Sequence, residues 1–341
     1  MVDQATPIDD KLQSKPCDGP LLFGCILNGS GGAQRVSWKD AQKQLDAIGS
    51  GETVWLHIDR RHPEAADWLS ERADIPEQTR YLLLSEETRP RAFVEEERLV
   101  AIMRGLNFNP GSQLDDMIAL QVWGAENLVL SFRRRKLQTP RDVLEELENG
   151  RGPKTASDLI VRLADILVSK MQLAVMSTND QIDEIEALPK EKQDKNALER
   201  ITQIRRHCLS LQRFMSPQHE ALRDLLRTSP DWFSSNNLRD VREIVDRLRR
   251  YLDDLNVSKE SAIVLQDEFD SRAAANSNHT MYILSIVAAI FLPLGFLTGL
   301  LGINVGGMPG VDSPIAFWLT LALLLAISGL QIYMFRRLKW L

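Results

Sequence analysis

The chain has 341 residues, 44% hydrophobic and 26% charged, with a formal net charge of −6 and a mean hydropathy of −0.20. These averages exclude a disordered chain, a collagen-like repeat and a protein made mostly of membrane spans, and the acidic balance gives no sign of a nucleic-acid partner. Three cysteines, Cys17, Cys25 and Cys208, are too few for a disulfide framework.

Residues 1–17 are expected to be a flexible amino-terminal arm. Met1–Lys15 is polar and lacks the apolar core of a signal peptide. Leu21–Leu27 is apolar and runs into a glycine-rich turn, Asn28-Gly29-Ser30-Gly31-Gly32. Thr53–Ile58, Arg91–Glu96, Leu99–Leu106, Met117–Trp123 and Asn127–Phe132 read as strands by their β-branched and aromatic content. Helical patterns occupy Ser37–Ile48, Pro63–Glu71, Pro76–Ser85 and Pro140–Asn149. Strands interleaved with short helices make residues 18–153 an α/β layered domain. This stretch contains no glycine-rich phosphate loop, no nucleophile elbow and no catalytic pair of carboxylates.

Residues 157–228 read as a helical hairpin, with helices at Ser157–Ile185 and Lys195–Phe214 and a short third at Pro217–Leu226. From Asn237 a helical pattern continues without proline or glycine to Pro293. Val241, Val245, Leu248, Leu252, Leu255, Ala262 and Phe269 recur in heptad-like steps, with Lys259 and Gln266 polar in the same register. A helix of that length, about 85 Å or more at ~1.5 Å per residue, exceeds ordinary globular helices and is expected to be a stalk.

The charge is unevenly placed. Of the 88 Asp, Glu, Lys and Arg residues, 84 lie at or before Arg272, which leaves −8 in that part and +2 in the rest. Met281–Leu301 and Ser313–Phe335 are uncharged and apolar, and each is long enough to cross a hydrocarbon core of ~30 Å. A pair of buried core helices would carry a polar face. Residues 237–301 are therefore expected to be a stalk continuing into a first membrane span, 302–312 an external loop, 313–335 a second span and 336–341 a basic tail. Arg336, Arg337 and Lys339 follow the second span while Gly302–Asp312 has no basic residue. The positive-inside rule then puts both termini in the cytosol.

At the end of the first span, Gly302-Ile303-Asn304 is followed by Gly306-Gly307-Met308-Pro309-Gly310. Glycine ends a helix cheaply, and the negative end of the helix dipole lies at the outer mouth. By spacing alone, this is equally a plain hairpin turn. The run Pro293-Leu294-Gly295-Phe296-Leu297-Thr298-Gly299-Leu300-Leu301-Gly302-Ile303-Asn304, with Met308-Pro309 and the terminal Lys339-Trp340-Leu341, resembles the CorA family of divalent-cation transporters. Ile303 stands where the family's Gly-Met-Asn motif has methionine. That feature, with Glu87-Thr88-Arg89-Pro90-Arg91 and Leu128–Arg135, is similar to the zinc-transporting branch.

The resemblance implies a CorA-like homopentamer in a bacterial inner membrane, with five first spans around a pore. It implies pore-lining roles for Asn278, Met281, Leu284, Ala288, Leu292, Gly295 and Asn304, with Gly302, Ile303 and Asn304 as the selectivity motif. Steps of three, three, four, four and three between Asn278 and Gly295 place those residues on one helix face. The family has a polar residue where Gly295 stands and methionine where Leu292 stands, so this path is more apolar. An ion stripped of water in an uncharged span would face a prohibitive desolvation cost. A hydrated ion is therefore expected, with Asn304 selecting through its shell and Met281 and Leu284 forming an apolar constriction.

The expected cargo is zinc, by proton-coupled symport in that branch. The alternative is a magnesium, cobalt or nickel channel of the same fold, and an alternative of another class is a membrane-anchored sensor or scaffold. Zinc is not legible in the residues, because the spans hold neither cysteine nor histidine. His279 at the cytosolic mouth, Asp267 and Asp270 on the stalk and Asp312 on the outer loop are candidates for attracting cations. The plainer reading of the stalk residues is a solvated helix face. No resident cofactor and no enzymatic activity are expected.

Overall fold

The computed structural model describes residues 19–45, 52–86, 88–113, 115–188, 195–303, 310 and 313–338. It divides into two compact units, Met1–Leu265 and Gln266–Leu341.

The first unit is built on a seven-stranded sheet. Its strands are β1 (Leu21–Leu27), β2 (Ala33–Val36), β3 (Thr53–Asp59), β4 (Arg91–Glu95), β5 (Arg98–Leu106), β6 (Met117–Ala125) and β7 (Leu128–Arg133). The spatial order is β2-β1-β3-β7-β6-β5-β4. Only β3 and β7 pair in parallel; every other neighbour is antiparallel. Helices α1 (Trp38–Leu45), α2 (Pro63–Glu71) and α3 (Glu77–Leu84) lie between the early strands in sequence, and α4 (Thr139–Glu148), α5 (Ala156–Glu186) and α6 (Lys195–Arg227) follow the last. The strands alternate as their period of two requires. Val54, Leu56, Ile58, Leu128, Leu130 and Phe132 enter one core with Trp38, Trp68 and Leu83. Trp55, His57 and Ser131 join one another on the other face, where α5 packs.

Strand β2 carries no strand signal in its sequence, Ala-Gln-Arg-Val. The turn before it makes the hairpin: the Asn28 Oδ1 accepts the amides of Ser30 and Gly32, each at 2.9 Å. That turn docks on a second glycine turn, Gly150-Arg151-Gly152, with the Gly152 amide donating to the Gly31 carbonyl at 2.8 Å. Arg35 and Glu148 close the same contact as an ion pair at 2.6 Å.

The helices expected at Lys195–Phe214 and Pro217–Leu226 are one helix, α6, which runs through Pro217. Proline removes one helix bond, but tertiary contacts hold the chain on both sides of it. The Arg104 guanidinium stacks on the Phe214 ring at 4.0 Å. The buried Gln218 accepts the Arg104 amide at 2.7 Å.

Helix α7 (Ser235–Leu301) has 67 residues. Its buried stripe in the first unit is Asn237, Val241, Ile244, Val245, Leu248, Tyr251, Leu255, Ser258, Ala262 and Leu265. This agrees with the heptad reading, except that Leu252 and Phe269 are only half-buried. Four polar pairs tie it to α5: Asp158–Asn237 at 2.7 Å, Asp165–Arg247 at 2.9 Å, Gln172–Tyr251 at 3.5 Å, and Asn179–Ser258. The α5 members recur every seven residues, and their α7 partners advance in the same direction. The two helices are therefore parallel, and the polar rungs fix their register in the way that polar coiled-coil positions do.

Gly31 has φ +103°, and a Cβ there would lie 2.9 Å from the Gly150 carbonyl oxygen. Both the backbone conformation and the rigid neighbour oppose a side chain. Gly31→Ala is expected to destabilise the fold by about 1–3 kcal/mol, read as a lower denaturant midpoint; an unchanged midpoint would contradict the docking of the two turns.

Candidate ion-conduction helices

The second unit contains the distal part of α7 and helix α8 (Ala316–Arg337). Both are long and apolar enough to cross a membrane, and neither apolar stretch is buried within the chain. Within this chain the segments are therefore not covered as core helices would be. The second span begins three residues later than the sequence suggested. It ends on Arg336 and Arg337, in the last turn of α8, where cations meet the negative helix end favourably.

Polar side chains along α7 turn back on the helix. Ser285 donates to the Met281 carbonyl at 2.8 Å, and Thr298 to those of Leu294 and Gly295 at 2.9 and 3.1 Å. This satisfies hydroxyls that hydrocarbon would leave unpaired.

Exposure divides α7 into two faces. Ile286, Ala289, Ile290, Leu294 and Leu297 are partly covered, as are Ala316, Thr320, Leu324, Ile327, Ser328 and Gln331 on α8, with Phe335 buried. These are the facing stripes of a helical hairpin. Asn278, Met281, Leu284, Ala288, Leu292 and Gly295 are all exposed. At about 100° per residue, those from Met281 to Gly295 lie on the side of α7 opposite the α8-facing stripe. Met281, Leu284, Ala288, Leu292 and Gly295 thus share one face.

Gly302 follows the last residue of α7, and its amide closes the final turn on the Thr298 carbonyl at 3.0 Å. It does so without a left-handed conformation, so the expected glycine cap does not operate there. A Cβ at Gly302 would instead stand 3.1 Å from the Thr298 carbonyl oxygen. Ile303 is exposed. Asn304 and Asp312 lie outside the described residues, as do residues 1–17, most of the outer loop and Lys339–Leu341.

His279, Asp267 and Asp270 are exposed on α7. Glu268, beside Asp267, is ion-paired with Arg272. Among the described residues, no group of three His, Cys, Asp or Glu side chains is placed to hold a metal. Burial pushes the Cys25 thiol up to about 12 and the Cys208 thiol up to about 11, so neither supplies a thiolate at neutral pH. A cleft of about 550 Å³ lies between α4, α5 and α7. Of its carboxylates, Glu146 and Asp165 are paired with Arg162 and Arg247.

Sequence reasoning passed over Gln331, which reaches across the hairpin and donates from Nε2 to the Ala289 carbonyl at 3.4 Å. An amide side chain inside an apolar span was the available signal.

The family described as CorA-like Mg2+ transporter protein matches residues 50–337. The chain belongs to that family. It is 39% identical over 323 residues to the divalent cation transporter CmaX of Pseudomonas aeruginosa, covering 94% of this chain and 97% of the relative. It is 30% identical over 315 residues to the zinc transport protein ZntB of Pectobacterium atrosepticum, covering 92% and 94%. A solved structure of the full-length CmaX protein superposes with a TM-score of 0.82 at 38% identity, over 96% of this chain and all of that one. The sheet domain, the long helix and the two apolar helices are thus the CorA fold. This CorA-family chain is a divalent-cation transporter and not an enzyme.

His57 lies fully inside the first unit, with Nδ1 2.9 Å from the Ser131 hydroxyl and Nε2 buried without a partner. This strand histidine is therefore structural. Burial, reinforced by the Arg133 guanidinium, holds its pKa well below the ordinary imidazole value. Below about pH 6.5 the unfolded chain binds a proton that the folded chain refuses, so stability present at neutral pH is lost as pH falls. His57→Gln is expected to flatten the fall in denaturant stability between about pH 7.5 and 5.5, by up to ~1.4 kcal/mol per pH unit; an identical fall in both proteins would refute the assignment.

Proposed function

We propose that the protein takes up zinc through a homopentameric path lined by α7, with α8 outside it and the sheet domain in the cytosol. The observation that carries this reading is the uncharged stripe from Met281 to Gly295, which stands opposite the α8-covered face. A hairpin that served only as an anchor has no need of such a face. Copies of the chain placed around an axis would turn these stripes toward one another.

The orientation follows from Arg336 and Arg337 at the end of α8 and the absence of basic residues from the sequence of the outer loop. Within such a path Met281 and Leu284 form the apolar constriction. The Asn304 side chain meets the ion's hydration shell, because no carboxylate is available in the spans to replace water. Asp312 outside, and Asp267, Asp270 and His279 inside, attract cations toward the two mouths.

Zinc as cargo is supported by the relative named a zinc transport protein and by Ile303 in the selectivity motif. The 39% identical relative, named a divalent cation transporter, favours a second reading in which magnesium, cobalt or nickel also pass. Proton coupling, which the resemblance to the zinc branch implies, is part of this proposal. With no Asp, Glu, His or Lys in either span, protons would travel on the ion's water or through His279.

Uptake of zinc and of magnesium into liposomes, with and without a pH gradient, separates these readings. Zinc entry accelerated by acid on the entry side is expected; entry indifferent to the gradient removes symport, and magnesium-only entry removes zinc. Leu284→Ala is expected to raise basal leak about tenfold, equivalent to ~1.4 kcal/mol off the dewetting barrier; unchanged leak would remove Leu284 from the constriction.

A further inference from the structure

Pro293 lies inside α7. A proline has no amide hydrogen, so the carbonyl four residues earlier loses its helix partner. That carbonyl belongs to Ala289. In water the loss would be made good by solvent, but in hydrocarbon an unpaired carbonyl costs several kcal/mol. The Ala289 carbonyl is the one that Gln331 of α8 reaches, with Nε2 at 3.4 Å. Apart from the basic pair at its end, α8 has few polar side chains, and Gln331 is half-buried against α7 with its Oε1 enclosed and unpartnered among the described residues.

We infer that Gln331 is a positioning residue for the conduction helix: it caps the carbonyl released by Pro293 and so fixes α8 against α7 at that depth. Two sequence features 38 positions apart are thereby one device. Proline weakens the helix at a chosen turn, and the neighbouring helix supplies the missing donor. Ala289 adjoins Ala288 on the proposed pore face, so the bond sets where α7 can flex without exposing backbone to lipid. A tilt of α7 about Pro293 breaks or remakes a single hydrogen bond. The role in transport rests on the reading that α7 lines the path; the bond itself does not.

The test is a double-mutant cycle in the full-length protein. Gln331→Met removes the donor at nearly constant length, and Pro293→Ala returns an amide to the Ala289 carbonyl. Denaturant unfolding and the initial uptake of Zn2+ and of Mg2+ into liposomes are measured for the native chain, both single variants and the double variant. Gln331→Met is expected to shift the folded-to-unfolded ratio about threefold, the size of an average polar contact between membrane helices, and to change uptake. Both effects should vanish in the Pro293→Ala background. Equal losses in the two backgrounds overturn the cap. Coupling in stability with uptake unaltered keeps the cap and overturns α7 as the conduction helix. Gln331→Glu provides a check should Pro293→Ala fail to fold, because its carboxyl donates only when protonated. Relative to the native chain at each pH, it should match the native protein in acid and lose at least as much as Gln331→Met in alkali, where its carboxylate neither donates nor is solvated; the same deficit at both pH values overturns the cap.

Discussion

Hydrocarbon offers neither hydrogen bonds nor charge solvation, and the last fifth of the chain is written around that constraint. It accounts for the absence of any charged residue between Arg272 and Asp312. It accounts for hydroxyls that bond back to their own helix at Ser285 and Thr298. It also makes the one break in the backbone ladder, at Pro293, a place where a neighbour must act. A transporter built under this rule cannot meet its ion with a buried carboxylate. The chemistry of capture is left to the mouths and to the ion's own water.

The soluble unit answers a different requirement, which is to hold the start of a 67-residue helix in a defined register. Apolar contacts alone would allow α7 to slide along α5 by a turn. The rungs from Asp158–Asn237 to Asn179–Ser258 remove that freedom, because a slipped helix would leave half-buried polar groups without partners. The buried stripe of α7 ends at Leu265, where the first unit ends and the acidic stretch with Asp267 and Asp270 begins. One continuous helix therefore belongs to both units.

Much of the fold was legible because each element has one dominant physical cause. Helix α2 has the bounds its sequence pattern gives, since apolar periodicity and turn residues agree there, whereas Leu21–Leu27 reads only as an apolar run and is strand β1. Strand β2 was missed because nothing in Ala-Gln-Arg-Val favours a strand; the Asn28 turn creates it by bringing the chain back beside β1. Helix α6 was split at Pro217 because local rules penalise an internal proline, whereas Arg104, Phe214 and Gln218 supply contacts 110 or more residues away in sequence that outweigh the penalty.

For the site, the sequence by itself determined the two spans, the uncharged stripe from Met281 to Gly295 and the Gly302-Ile303-Asn304 ending, because hydropathy and helical spacing are local properties. It also carried the family, through a run of residues in order. Only the tertiary structure decided which face of α7 is covered by α8 and which stays open, since both faces are apolar and periodicity cannot rank them. Only the tertiary structure joined Gln331 to Ala289. That pairing depends on the depth at which two helices meet, a distance no local pattern encodes. The lost amide of Pro293 was visible in the sequence from the start, but the donor that replaces it had to be found in space.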